Sequence, residues 1–331
     1  MQPSAKPAEV AEIALSELTS LQSDERLLVV ADETALADKP DVVAALLGLG
    51  RQKGADATLA AMRDVMDGTN ALPPTVAAAM GEADVVIPVT DTTTSPAVHN
   101  ETTERLREEG SIRTLAMCMR PHDVVTGPRV LAADFEEMER ISRVMYDLVS
   151  SGSEVRVTSE LGTELTASID GMPSQRHRKI PDPGGFSAIT WGEVFQAPAV
   201  GTMEGTAIVD GPVLNHGWPS SPLEVEISGG EVESITGDAD IAPAISRLMA
   251  DNENGRNVAE LSFGINPDVD GKPVVNIWKQ KLGTLHFAIG NGLIYGQPVD
   301  SPIHVDFVLN SPSVAIDGTP LLEDGSLALE Y

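Results

Sequence analysis

Ionisable side chains inside apolar, strand-like segments impose the strongest constraint on how this chain can fold. The last third of the sequence contains GTLHFAIG around His286, and IHVDF, which holds His304 and Asp306. In a β-strand, residues i and i+2 point to the same face, so His304 and Asp306 can reach one point together. Burying such groups is costly unless a counter-charge, a metal ion or solvent compensates them. The pattern predicts a cleft in which histidine and carboxylate side chains converge.

Two further apolar segments each contribute a glutamate. Glu193 lies in WGEVFQAP and Glu260 in AELSFGIN. Taken singly, either glutamate could be a solvated residue at a strand edge, and His286 could be a core histidine. Their joint occurrence with the histidine–aspartate pair favours a metal centre, because imidazole and carboxylate are common ligands of zinc, manganese and iron.

The two halves of the chain differ in their hydrophobic periodicity. Up to about residue 150, short apolar runs such as LLVVAD and ADVVIPVTD alternate with segments of helical period. This alternation predicts an α/β domain with a mainly parallel sheet over residues 1–150. Residues 151–331 contain segments of period two, among them LEVEISGGEVESITG, which predicts a hairpin turning at two glycines. We therefore expect an α+β, β-rich second domain that carries the metal site.

Charge and cysteine content narrow the partners and the compartment. The formal net charge of -28 disfavours nucleic acid and anionic membranes, which both select basic surfaces. We expect neither a membrane span nor a signal peptide, because no apolar run is long enough. The single cysteine, Cys118, lies in the apolar run TLAMCM and indicates a core thiol in a cytoplasmic protein. The acidic surface suits a halophilic source, with an acidic mesophile protein as the alternative.

Four ordered motifs carry a family resemblance. The segments GEVFQAP, AELSFGINP, GTLHFAIG and IHVDFV resemble the thermophilic aminopeptidase T family of metallopeptidases, and the following VAIDG and LLEDG are similar to it as well. The resemblance covers about residues 155–325, and the first domain only in its general α/β layout. It implies a homodimer with two divalent ions per chain, zinc, manganese or cobalt. The metal ligands that it implies are Glu193, Glu260, His286, His304 and Asp306, with Glu260 as a bridge between the ions.

The sequence departs from the peptidase pattern at two places. The position seven residues after His286, where the peptidases carry a functional tyrosine, holds Leu293, and the nearest tyrosine is Tyr295. The interval from His286 to His304 is also shorter than in the peptidases. The resemblance extends to non-peptidase members of the same superfamily, the aromatic amine hydrolases and the iron-dependent 2,5-dihydroxypyridine dioxygenases. These dioxygenases use one Fe(II) held by two histidines and a carboxylate. His286, His304 and Asp306 could furnish that set.

The motifs and the resemblance together lead to one expected function and two alternatives. We expect a metal-dependent aminopeptidase or related amide hydrolase, in which two ions activate a water that attacks a peptide or small-molecule substrate. Glu193 is either a ligand or the general base, and Tyr295 is the candidate donor to the oxyanion. Arg176, His177 and Arg178 are either an anchor for a substrate carboxylate or a solvated loop. The alternatives are a mononuclear Fe(II) ring-cleaving dioxygenase and a catalytically silent binding protein, and the intact ligand set argues against the second.

Overall fold

The computed structural model describes residues 5–64, 72–91, 95–98, 100–118, 122–131, 133–189, 192–269 and 275–331. Contacts between residues divide the chain into two compact units. Unit 1 comprises Met1–Asp134 and His177–Trp191, and unit 2 comprises Phe135–Arg176 and Gly192–Tyr331. Separate domains at residues 1–150 and 151–331 remain a prediction, because compactness alone does not establish independent folding.

Unit 1 is built on a five-stranded parallel sheet in the order β2-β1-β3-β4-β8. Its strands are β1 (Arg26–Asp32), β2 (Asp56–Met62), β3 (Val85–Val89), β4 (Arg113–Ala116) and β8 (Phe186–Ala188). All five residues of β3 are buried, as expected for a strand that is covered on both faces. The predicted α/β class with a parallel sheet is therefore present, and β8 adds a strand from beyond residue 150.

Seven short α-helices connect or flank the described strands of unit 1. They are α1 (Ala5–Glu12), α2 (Glu33–Asp38), α3 (Pro40–Gln52), α4 (Pro74–Gly81), α5 (Glu101–Glu108), α6 (His122–Val125) and α7 (Pro128–Leu131), and a π-helical segment, Ile13–Leu18, follows α1. The α5 helix begins at Glu101, because the Asn100 side chain accepts a hydrogen bond from the Thr102 backbone N–H and caps the helix there.

Unit 2 contains two antiparallel sheets. The eight-stranded sheet has the order β12-β11-β10-β6-β5-β16-β17-β18, and the five-stranded sheet has the order β15-β14-β13-β9-β7. The first consists of β5 (Glu154–Thr158), β6 (Glu164–Ser168), β10 (Glu204–Val209), β11 (Leu223–Ser228), β12 (Glu231–Thr236), β16 (Ser313–Ile316), β17 (Thr319–Glu323) and β18 (Ser326–Leu327). The second consists of β7 (Gln175–Arg176), β9 (Glu193–Gln196), β13 (Val258–Gly264), β14 (Leu285–Gly290) and β15 (His304–Leu309).

Helices complete unit 2, and its hairpin matches the sequence prediction. The α-helices are α8 (Phe135–Ser151), α9 (Ile241–Asp251) and α10 (Val275–Trp278), and Leu293–Tyr295 form a 3-10 turn. The hairpin β11–β12 turns at Gly229 and Gly230, whose φ angles of 58° and 74° are open to glycine without strain. The antiparallel, β-rich character predicted for this part of the chain is confirmed. Within the described ranges, no helix combines the length and apolarity that crossing a bilayer requires.

Candidate metal centre

Strand register brings the predicted ligands to one face of the five-stranded sheet. Ser262 of β13 pairs with His286 of β14, and Ala288 of β14 pairs with Asp306 of β15. Antiparallel partners point to the same face and side chains alternate along each strand, so the ligands share that face. They are Glu193, Glu260, His286, His304 and Asp306.

Glu260, His304 and Asp306 form the first ligand group. His304 Nε2 lies 3.1 Å from Glu260 Oε2 and 3.1 Å from Asp306 Oδ1. One ligand atom from each residue lies within 4.8 Å of the other two. On the other side of the ring, His304 Nδ1 lies 3.3 Å from the Asn291 carbonyl oxygen. A proton on Nδ1 can be donated to that carbonyl, which leaves the Nε2 lone pair for a metal.

Glu193, Glu260 and His286 form the second ligand group, so Glu260 belongs to both. His286 is fully buried, and its Nε2 lies 3.5 Å from Glu260 Oε1. Neither ring nitrogen of His286 makes a hydrogen bond to a residue that the structure describes. The two histidines thus belong to different groups. The three ligands expected for a single iron, which are both histidines and Asp306, are therefore divided between the two groups.

Lys279 also lies among these ligands, and the sequence motifs do not predict it. Its Nζ is 2.9 Å from Asp306 Oδ2 and 3.4 Å from Glu193 Oε1. Only 13% of its side chain is exposed. The sequence does contain one signal for this segment. The chain has seven lysines, and three of them lie between residues 272 and 281. This clustering marks the segment, but it does not show which carboxylates the lysines contact.

Tyr295 reaches the first ligand group although it lies two residues beyond the position that the peptidase pattern requires. Its hydroxyl is 3.3 Å from His304 Nε2, and its ring stacks on the His304 imidazole at 5.4 Å between centroids. The edge of Phe195 contacts the same tyrosine ring. Leu293, at the family's tyrosine position, is instead exposed. Burial, reinforced by the nearby carboxylates, raises the pKa of Tyr295, so the hydroxyl stays protonated and can donate a hydrogen bond.

The charges of the cluster are mutually stabilised. Burial on its own would raise the carboxyl pKa values, but His286 and His304 hold the pKa of Glu260 low, and Lys279 together with His304 does the same for Asp306. Burial would lower the pKa of His304, yet its contacts with Asp306 and Glu260 raise it to about 10. The carboxylates are therefore ionised inside a buried site.

The donor atoms fit a bound metal ion. Both His286 nitrogens are buried without a hydrogen bond to any described residue. The Asp306 oxygens form ion pairs with Lys279 Nζ at 2.9 Å and with His304 Nε2 at 3.1 Å. Buried polar atoms in proteins are nearly always satisfied, so two imidazole nitrogens without hydrogen bonds beside buried carboxylates are what a metal site provides. These buried carboxylate and histidine groups could bind a metal.

Arg176 of β7 lies on the opposite face of the sheet from the ligands. Arg176 pairs with Val194 in the sheet, which places it on the face opposite the ligands. Its Nη1 donates to Glu139 Oε1 at 2.8 Å and to Ser142 Oγ at 2.7 Å, both on α8. Of the two alternatives for Arg176, an anchor for a substrate carboxylate does not fit this placement, because helix α8 already occupies its guanidinium.

Solved structures of known enzymes share the fold of the chain. The 2,5-dihydroxypyridine dioxygenase from Pseudomonas putida KT2440 superposes with a TM-score of 0.85 at 17% identity, over 98% of each chain. Wild-type AmpT from Thermus thermophilus superposes with a TM-score of 0.70 at 15% identity, over 98% of this chain and 99% of that one. No curated protein matches the sequence. At such low identity these likenesses concern the fold.

The family match decides between the two enzyme classes expected from the sequence. The model of the family NicX, 2,5-dihydroxypyridine 5,6-dioxygenase, matches residues 14–329. The expectation of a two-metal aminopeptidase or amide hydrolase is therefore wrong, and the superfamily resemblance holds only at its broader level. The error has a physical origin, because the carboxylate and histidine ligands on which it rested serve hydrolytic and oxidative metals alike. The chain belongs to the 2,5-dihydroxypyridine 5,6-dioxygenase family.

Proposed function

We propose that this protein is an iron-dependent dioxygenase that opens the ring of a dihydroxylated pyridine. The observation that carries the proposal is the family match over residues 14–329, which include every candidate ligand. The substrate class is taken from the name of that family, and the chemistry of the buried site supports it. Both atoms of O2 would enter the product, so the ring would supply all the electrons and no second reductant would be needed.

We further propose that one ferrous ion is held by Glu260, His304 and Asp306. This group is supported by the two 3.1 Å contacts of His304 Nε2 and by the orientation of its imidazole toward the Asn291 carbonyl. Oxygen and nitrogen ligands of this kind suit Fe(II). When bound, the iron would supply the one-electron chemistry that lets O2 react with an aromatic ring.

The protein's own groups would orient the reactants and hold a proton. Asn291 would keep the His304 ring in one tautomer, as outer-shell partners of metal-bound histidines do. Tyr295 would donate a hydrogen bond from its protonated hydroxyl to an oxygen of the substrate bound beside His304. The deep burial of Glu260 and Asp306 would keep bulk water away from these groups.

Oxygen-isotope labelling tests the proposed function. Protein loaded with Fe(II) under anaerobic conditions is mixed with 2,5-dihydroxypyridine and ¹⁸O₂, and the product is analysed by mass spectrometry. We expect a ring-opened product that contains both labelled atoms, with one O₂ consumed per substrate. The Asp306→Asn variant and the zinc-loaded wild type are the controls, and neither should consume O₂. An iron-loaded protein that consumes no O₂ with this substrate class would overturn the proposal.

The oligomeric state also remains a proposal. A homodimer rests on the family resemblance alone. Sedimentation velocity at several protein concentrations would test it, and a monomer at every concentration would contradict it.

A further inference from the structure

We infer that the ammonium group of Lys279 takes the place of a second metal ion, so that the cluster binds one divalent ion and not two. The inference deepens the proposed function, because it assumes that the ligand cluster is a metal centre. It assigns to Lys279 a specific role, that of a fixed monovalent cation between two potential metal positions.

The position of Nζ supports this assignment. The ammonium contacts Asp306, a member of the first ligand group, and Glu193, a member of the second. Its distance from Glu193 Oε1 is 3.4 Å. A metal ion in the second group would need the Glu193 carboxylate, and two like charges at such a separation repel strongly in a buried site. Lys279 and a second ion are therefore competitors for one carboxylate.

The charge balance of the cluster points the same way. Glu193, Glu260 and Asp306 contribute three negative charges, and Lys279 contributes one positive charge. One divalent ion with neutral histidines makes the sum zero. A second divalent ion would leave two uncompensated positive charges in a buried site, which is costly.

Lys279 is not a surface lysine, because only 13% of its side chain is exposed, and hydrogen bonds hold the backbone around it. The Lys279 carbonyl accepts a hydrogen bond from Thr284 Oγ1 at 3.1 Å, and the next carbonyl, that of Gln280, accepts one from the Asn266 N–H at 2.8 Å. Gln280 packs directly against Gly192, where an added Cβ would lie 2.6 Å from the Gln280 Cβ. The glycine thus lets the lysine segment approach the start of β9, which carries Glu193.

Metal stoichiometry of a lysine variant tests the inference. Chains stripped of metal are loaded with excess Mn(II), passed through a desalting column, and analysed for manganese per chain. We expect about one ion in the wild type and about two in Lys279→Met, because removal of the ammonium ends its competition for the Glu193 carboxylate. The double variant Lys279→Met/Glu193→Gln should return to one. Lys281→Met is the matched control, since the Lys281 ammonium lies over the Trp278 ring at 4.5 Å, and it should bind one.

Three results would overturn the inference: two ions in the wild type, one ion in Lys279→Met, or two ions in the double variant. If Lys279→Met does not fold, Glu193→Gln alone supplies the test. The inference requires this variant to keep its one ion, and loss of the ion would show that Glu193 is a ligand. The ion count needs no turnover, so a one-ion protein that lacks dioxygenase activity would sink the proposed function and leave the role of Lys279 intact.

Discussion

Asp238 and Asp306, both buried in unit 2, are kept ionised by opposite kinds of partner. The Asp238 carboxylate accepts hydrogen bonds from the Ser220 N–H and hydroxyl, at 2.7 and 2.6 Å, and from the N–H groups of Asp240 and Ile241. The Asp306 carboxylate instead faces the Lys279 ammonium and the His304 ring. Neutral dipoles satisfy the first carboxylate, and charged side chains surround the second.

The difference separates a structural carboxylate from one that is ready for a ligand. Asp238 lies just before α9, where free backbone N–H groups and the helix dipole favour a negative charge. Ser220 and the backbone at the start of α9 supply the donors that the Asp238 carboxylate needs, so it requires no metal ion or other ligand. Asp306 shares a site with Glu193 and Glu260, and a single lysine cannot balance three carboxylates. We therefore expect Asp306 to contribute to metal binding and Asp238 not to.

The largest expected effect is the loss of metal binding on Asp306→Asn. The amide cannot supply the negative charge of a ligand, and we expect the affinity for Mn(II) to fall by more than about 100-fold, beyond the loss typical of outer-shell changes. Asp238→Asn is the matched control and should leave the affinity unchanged. Isothermal titration calorimetry measures the Mn(II) affinity of both variants. Equal losses of affinity would contradict the distinction between Asp306 and Asp238.

Metal removal should produce the next largest effect, on stability. Binding to the folded state at a free ion concentration 100 times Kd adds about 2.7 kcal/mol to the free energy of unfolding. A chelator should therefore lower the Tm of the wild type and leave the Tm of Asp306→Asn unchanged. Differential scanning calorimetry with and without chelator checks this, and an unchanged wild-type Tm would mean that no ion is bound.

Asp238→Ala should cost a few degrees of Tm, equally with and without metal. The hydrogen bonds from Ser220 and the start of α9 lower the pKa of Asp238 below its usual 3.8. A depressed carboxyl pKa adds stability that is fully present above the unfolded value and is lost as the pH falls below it. The Tm difference between wild type and variant should thus persist from pH 7 to about pH 5 and shrink below 3.8. A difference that widens in acid would contradict this sign.

Tyr295→Phe should produce the smallest change. It removes one hydroxyl 3.3 Å from His304 Nε2 and keeps the stacked ring, so metal content and Tm should stay close to wild type. Turnover should fall about fivefold, as expected for one hydrogen bond of about 1 kcal/mol. Steady-state O₂ uptake measures the change. Loss of bound metal in this variant would instead make Tyr295 part of the ion's own environment.

Sequence patterns anticipated the local features of the molecule better than its long-range ones. The buried run of β3 and the glycine turn of β11–β12 follow from periodicity and turn chemistry alone. The common face of His304 and Asp306 follows from their spacing in a strand. In contrast, β8 joins the parallel sheet after a long excursion of the chain, and no local pattern encodes that pairing.

The candidate site shows the same division. The five candidate ligands could be selected because each is an ionisable residue in an apolar segment. Lys279 could not, because its contact with Asp306 depends on how the segment after α10 returns to the sheet. The reaction class was also beyond the motifs, since the same side chains can serve a hydrolytic or an oxidative metal. The position of Lys279 among the carboxylates is therefore seen only in the folded structure.

Anomalous diffraction at the iron absorption edge tests the central claim most directly. Crystals grown under anaerobic conditions with Fe(II) should show one strong peak per chain, within coordination distance of Glu260, His304 and Asp306, with the Lys279 ammonium still between Asp306 and Glu193. Two peaks per chain, or a single peak bound by Glu193 and His286, would contradict the account.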